Sequence, residues 1–200
     1  MRCPLTMLDS MPRPDIFGLP AFDSDSGAVN TIIETPQGRR MKFKYDLEAG
    51  VFKFDKNMPV GFAFPFDFGF IPSTLGEDGD PLDIMILADQ PTFVGCLILT
   101  RLLGVLEAKQ SDQETTVRND RLIGIPLTAK KHEPAALVTR LEGKIAADIQ
   151  EFFVLYNQAQ GRTFEPLGIH GPDRATALIR QCMARARKKA HSNGKRKARA

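Results

Sequence analysis

The chain has 200 residues, of which 42% are hydrophobic and 26% charged, with a formal net charge of +3. That length and balance fit one globular domain around a single core and argue against disorder of the whole chain. The longest apolar run, VGCLILTRLLGVL, is broken by Arg101 and falls short of the roughly 20 residues that cross a bilayer, so no membrane span is expected.

The first residues, MRCPLTMLDSMPRP, carry three prolines and no sustained apolar segment. They do not read as a secretory signal, and a cytoplasmic protein is expected. Residues 1–29 are rich in Pro, Asp, Ser and Gly and read as a poorly ordered or surface-draped N-terminal arm. Cys3, Cys96 and Cys182 are widely spaced and odd in number, without zinc-ligand spacing. They read as free thiols in a reducing compartment, with Cys96 a small core residue.

From Asn30 onward the pattern is that of short strands. NTIIET, RMKFKYD, GVFKFDK and FAFPFDFGFI alternate large apolar and polar residues at period two, with turns at Pro36–Gly38, Ala49–Gly50 and Pro72–Pro81. DIMILAD, CLILTRLLGVLEA and RLIGIPL add three nearly all-apolar strands, as in sheet buried on both faces. After Pro134 the period changes: AALVTRLEGKIAADIQEFFVLYNQ places Leu137, Leu141, Ile145, Ile149, Phe152 and Phe153 at helical spacing. PDRATALIRQCMARARKKA is a second helix beginning after Gly171. Strands followed by helices predict an α+β fold whose sheet is a small closed barrel, with the domain over residues 30–187.

Residues 188–200 form a basic C-terminal tail. Nine Lys or Arg and no acid lie between Arg180 and Ala200; 27 minus 9 leaves 18 basic residues in 1–179 against 24 acidic, so the body carries −6. Such a run is most often a solubilising extension, and its sharper reading is contact with nucleic acid through counterion release.

The segment Glu77–Leu87, EDGDPLDIMIL, packs Asp78, Asp80 and Asp83 around one Gly-Pro turn that enters an apolar strand. A lone Asp-Gly turn needs no function. A third aspartate at a strand entrance, where an unpaired charge is costly, makes the cluster a plausible bed for a hard divalent cation such as Mg²⁺. An EF-hand reading fails, because Leu82 and Asp83 occupy positions that need an oxygen ligand and a glycine, and IMILA follows.

Asp78-Gly79-Asp80-Pro81-Leu82-Asp83 resembles the Asp-x-Asp-Pro-x-Asp signature of the soluble family I inorganic pyrophosphatases. IIETP, MKFKYD, GVFKFDK, FPFDFGFIPSTLGEDGDP, NDRLIGIP, EFFVLYN and FEPLGIHGPDRA resemble the family's segments in order and spacing, from roughly Asn30 to Arg187. The resemblance implies a five-stranded OB-like barrel, with added strands and two C-terminal helices, that hydrolyses pyrophosphate with three or four Mg²⁺ ions per site. It further implies metal binding by Asp78, Asp80, Asp83 and Glu34, with Asp80 also the base beside the attacking water. Lys42 and Tyr156 match phosphate-binding positions.

Lys56 and Arg121 stand where the family has a phosphate-binding Arg and a phosphate-binding Lys, respectively, and by that resemblance would bind substrate with their charge kept. Glu114 and Asn119 stand at two ligand aspartates, with Asp112 and Asp120 as shifted alternatives for them. Lys44, Phe68 and Asn157 replace a glutamate, a tyrosine and a lysine. The short length resembles the family's bacterial members, which are commonly hexamers, and by that resemblance implies a homo-oligomer, a hexamer above all. The competing reading is a binding protein of this fold with a decayed site and a tail that contacts nucleic acid.

Overall fold

The computed structural model describes residues 16–46, 49–128 and 143–197. They form nine strands and two helices: β1 Val29–Thr35, β2 Met41–Asp46, β3 Val51–Asn57, β4 Asp67–Ile71, β5 Leu82–Ile86, β6 Leu97–Ser111, β7 Thr116–Arg118, β8 Arg121–Pro126, α1 Lys144–Gln158, β9 Thr163–His170 and α2 Pro172–Lys197. No described helix is long and apolar enough to cross a membrane.

Strands β1, β4, β5, β8 and β6 pair in that order, and β6 pairs back to β1, so five strands close into a ring. The pairing of β5 with β8 is parallel, and the other ring pairings are antiparallel. Strand β6 is long enough to serve twice. Its first residues close the ring against β1, and its far end carries β7 and β9. A register shift between Leu102 and Gly104 interrupts its pairing with β8, which resumes through Leu106. Strands β2 and β3 form a separate hairpin. The expected α+β barrel is therefore the fold observed.

The period of two along the strands sorts side chains into two cores. Leu82, Ile84, Ile86 and Leu122 pack with Val105 and with Ala175, Leu178, Ile179 and Cys182 of α2. Met85, Ile123, Leu103 and Phe68 pack with Ile149, Phe153 and Tyr156 of α1. Each fully buried Ile, Leu or Phe contributes roughly 1.5–3 kcal/mol to holding these layers together.

Some local readings change. FAFPFDFGFI is a strand only over Asp67–Ile71; Pro65 has no N–H of its own to give a ladder. Cys96, expected in the core, is only partly buried at the core's edge, and its carbonyl accepts the Ile33 N–H at 3.0 Å. The buried thiol is Cys182.

Residues 16–28 lie against the barrel: Ala21 is fully buried, and Phe17 stacks on Phe70 at 4.7 Å. The earlier part of the arm, residues 135–142 of the expected first helix and residues 198–200 of the tail fall outside the described residues. Helix α1 begins at Lys144 after Gly143, and α2 runs on through the basic segment to Lys197.

Candidate active site

The acidic turn is tied down before it reaches β5. Ser73 adopts φ 56°, a left-handed conformation costly for a residue with a Cβ. Two bonds to the arm hold it there, from its N–H to Phe17 O at 3.0 Å and from its Oγ to Leu19 O at 2.7 Å. Thr74 Oγ1 donates to Ile71 O at 2.6 Å and accepts the Leu82 N–H at 2.9 Å, stapling the two ends of the loop. Helix α2 clasps the same loop: Leu75 N–H donates to Cys182 O at 3.2 Å, and Arg185 Nη1 donates to Leu75 O at 3.1 Å. Within the turn, Asp80 N–H donates to Asp78 Oδ1 at 3.1 Å, and Gly79 takes φ 90°.

This leaves Asp78 and Asp83 in one pocket with Asn119, Asp120, Arg118 and Arg185. Asp83 faces Arg121 across the parallel β5–β8 pair, and Arg121 Nη1 lies 2.6 Å from Asp83 Oδ2. Burial, and secondly the Asp83 charge, hold the Asp78 carboxyl above its usual range. Glu34 on β1 responds in the same way: burial first, then Asp83, push it up to about 7 against the opposing pull of Lys42, Lys44 and the Tyr45 N–H. Burial first, and the Asp83 charge second, thus keep both acids protonation-prone.

The opposing charges come mainly from the hairpin. Lys44 Nζ lies 3.2 Å from Asp80 Oδ2. The Lys42 ammonium sits over the rings of Phe64 and Phe68, 5.5 and 5.3 Å from their centroids. Burial lowers its pKa, and the Arg121 charge adds to that, whereas Asp83, Glu34 and Asp55 raise it. The rings of Phe64 and Phe68 therefore act as a cation–π platform for Lys42.

Lys56 donates to Gln160 Oε1 at 2.8 Å beside Tyr156. The Tyr156 ring is buried and stacks on Phe152 at 5.7 Å. Burial raises its phenol, opposed by Lys56, by a bond to Gln160 and by the charges of Arg121 and Arg162. Its ring is core, and its hydroxyl lies among cations.

Asn119 and Asp120 join β7 to β8, and both line the pocket, with different partners. Asn119 Oδ1 accepts from Arg121, and its Nδ2 donates to Gln110 Oε1 at 3.2 Å. Asp120 Oδ1 accepts the Ala108 N–H at 2.9 Å and pairs with Arg118 at 2.9 Å. Arg118 also pairs with Glu107, which binds Arg174 of α2 at 2.6 Å.

Glu114 is exposed in the β6–β7 turn and is not among the residues lining the pocket. Asp112 accepts the N–H groups of Glu114 and Thr115 at 3.0 and 2.8 Å, which shapes that turn. The Asn157 amide turns back to Phe153 O at 2.8 Å.

Sequence reasoning did not find Asp55, Arg162, Gln160 or the Glu107–Arg118–Arg174 network. Glu107 and Arg174 are 67 residues apart, and nothing local in either segment marks the pair.

The donor chemistry can be tested against a bound cation. Among the described residues, no three Asp, Glu, His or Cys side chains converge on one point. The oxygen-only set of Asp78, Asp83 and Glu34, with two of its members raised by Asp83, nevertheless fits a hard divalent ion on that side of the pocket. The Asn119–Arg121 side offers an amide and a guanidinium instead.

The family described as inorganic pyrophosphatase matches residues 31–187. The inorganic pyrophosphatase of Synechocystis sp. is 32% identical over 169 residues, covering 84% of this chain and 97% of that protein. That of Geobacillus stearothermophilus is 35% identical over 157 residues, or 78% and 93% of the two chains. The crystal structure of the Thermus thermophilus inorganic pyrophosphatase superposes with a TM-score of 0.69 at 30% identity, covering 84% of this chain and 97% of that one.

Proposed function

The chain belongs to the inorganic pyrophosphatase family, and on that premise we propose that it hydrolyses inorganic pyrophosphate to two phosphates with the help of Mg²⁺. The observation that carries the reading is the charge arrangement around Asp83. Asp78 and Glu34 lie within its field as surplus acids, and Lys42 and Arg121 face the same point as cations. A diphosphate and its counter-ions need both signs of charge in one water-accessible place.

In this reading Asp78, Asp83 and, through water, Glu34 would hold Mg²⁺. The bound ion would lower the pKa of a coordinated water and neutralise phosphate oxygens. Asp80 accepts the proton of the attacking water, and Lys44 on its Oδ2 orients the carboxylate. Lys42, Lys56 and the Tyr156 hydroxyl bind phosphate oxygens from the hairpin and from α1. Glu107, Arg118 and Asp120 fix the end of β6 beside β8, which holds the strands that carry the site in register.

Phosphate release by the purified full chain tests the proposal. Turnover of pyrophosphate with Mg²⁺ that stops on chelation supports it, and absence of release under both conditions removes it.

A further inference from the structure

The C-terminal half of α2 outlasts the contacts that hold the helix to the body. Cys182 is buried in the core and Met183 packs partly against it. Arg185 makes the final bonds to the body, to Leu75 O at 3.1 Å and to Glu77 Oε1 at 3.4 Å. From Arg187 to Ser192 every residue is exposed, yet the helix continues to Lys197.

Eight Lys or Arg and no acid lie between Arg180 and Lys197. At a rise of about 1.5 Å per residue that segment spans roughly 26 Å, or about one cation per 3 Å of axis. Phosphates recur every 3.4 Å or so along one strand of a duplex, so the two charge densities are close. Among the described residues, none of Arg180, Arg187, Lys188 or Lys189 pairs with an acid. Arg185 and Lys189 stand four apart on the helix, where like charges repel. A polyanion laid along the helix relieves that repulsion and releases its own counterions.

The composition of the segment selects among polyanions. Beyond Met183 there is no Leu, Ile, Val, Met or aromatic residue. The helix therefore has no apolar face to bury in a lipid interface or in the groove of a protein partner. Residues 1–179 intersperse acids with bases, so the body of a second copy presents mixed charge.

We propose that α2 from Arg187 to Lys197 is a docking helix for nucleic acid, which it holds by the phosphate backbone without reading base sequence. Docking leaves the pyrophosphate site in place, because Arg185 stays on the acidic loop and the docking cations lie beyond it.

Fluorescence anisotropy of short labelled duplex DNA and single-stranded RNA of mixed sequence, titrated with the full-length protein, tests this. Binding to either polymer supports the proposal, and the tighter one names the partner. Affinity is expected to fall at least about tenfold between roughly 50 and 200 mM salt, as three or more phosphate contacts require. R187Q/K188Q/K189Q, at three exposed positions, is expected to bind at least about tenfold more weakly at the lower salt and with a flatter salt dependence. Equal affinity of the unmodified protein and this variant, or binding indifferent to salt, would overturn the proposal. So would binding to phosphatidylserine vesicles or to polyglutamate as tight as that to nucleic acid. A variant that changes oligomeric state while neither protein binds nucleic acid would give the helix to a second copy, and the proposal would fall. The readout is binding alone: a chain that releases no phosphate yet binds nucleic acid through these residues loses the function reading and keeps this one.

Discussion

Lys44 Nζ stands 3.2 Å from Asp80 Oδ2, so the aspartate proposed to take the proton of water carries a cation supplied by the β2–β3 hairpin. Both side chains are more than half in contact with solvent or close to it, at 50% and 62% exposure, so their pairing adds little to stability. Lys44→Ala is therefore expected to change the unfolding free energy by under about 1 kcal/mol. Its kcat for pyrophosphate falls by less than the roughly 100-fold or more assigned to the base itself. Urea unfolding and initial rates check this pair of outcomes, and a loss of several kcal/mol would contradict it.

Glu34 gives the metal-free protein a pH dependence of definite sign. Its carboxyl sits at about 7 in the folded chain against the model-compound value of 4.5, mainly through burial and then through Asp83. Between those values the folded chain keeps a proton that the unfolded chain releases. Stability is thus fully present below 4.5 and is lost as the pH rises through about 7. At 1.36 kcal/mol per pH unit the loss from this group is at most about 3 kcal/mol. Urea unfolding of chelator-treated protein near pH 5 and near pH 8 measures it, and Glu34→Gln is expected to show a correspondingly smaller drop.

Gly69 marks a close approach in the barrel wall. A Cβ built there meets Ile32 O at 2.0 Å and Ile33 Cα at 2.9 Å, both backbone atoms of β1. Since neither can rotate aside, Gly69→Ala must pry β4 from β1, at a cost of about 3 kcal/mol or more. A thermal midpoint within a degree or two of the unmodified protein would contradict this packing account.

The basic end of α2 is separable from the site. Arg185 is the clasp on the acidic loop, while Lys188, Lys189, Ala190, His191 and Ser192 are exposed. Deleting residues 188–200 is expected to leave pyrophosphate turnover intact and to change stability by no more than about 0.5 kcal/mol. If salt-sensitive nucleic-acid binding is found, it should vanish with the deletion.

The residues themselves show why some of this was legible in the sequence. Alternation in NTIIET and the apolar runs around Ile84 and Ile123 required strands, and the Asp78–Asp83 turn announced the acidic half of the site. β9 gave no such signal, because Pro166 and Gly168 interrupt TFEPLGIH; β6 supplies the partner that holds it extended. The partners of Asn119, which are Arg121 and Gln110, and of Asp120, which are Ala108 and Arg118, come from β6, β7 and β8 together and have no local mark in the sequence. Arg121 reads as a phosphate-binding cation only through the family resemblance; its engagement with Asp83 depends on a cross-strand pairing that the sequence does not display. Lys42 likewise needed the hairpin to be folded over Phe64 and Phe68 before its burial was apparent.

The most direct test of the central claim is phosphate release from pyrophosphate by Asp80→Asn beside the unmodified chain, at saturating Mg²⁺, with equal folding verified by circular dichroism. The account predicts Mg²⁺-dependent turnover in the unmodified protein, a fall in kcat of roughly 100-fold or more in the variant, and a KM that changes little. Equal turnover in the two proteins would contradict it.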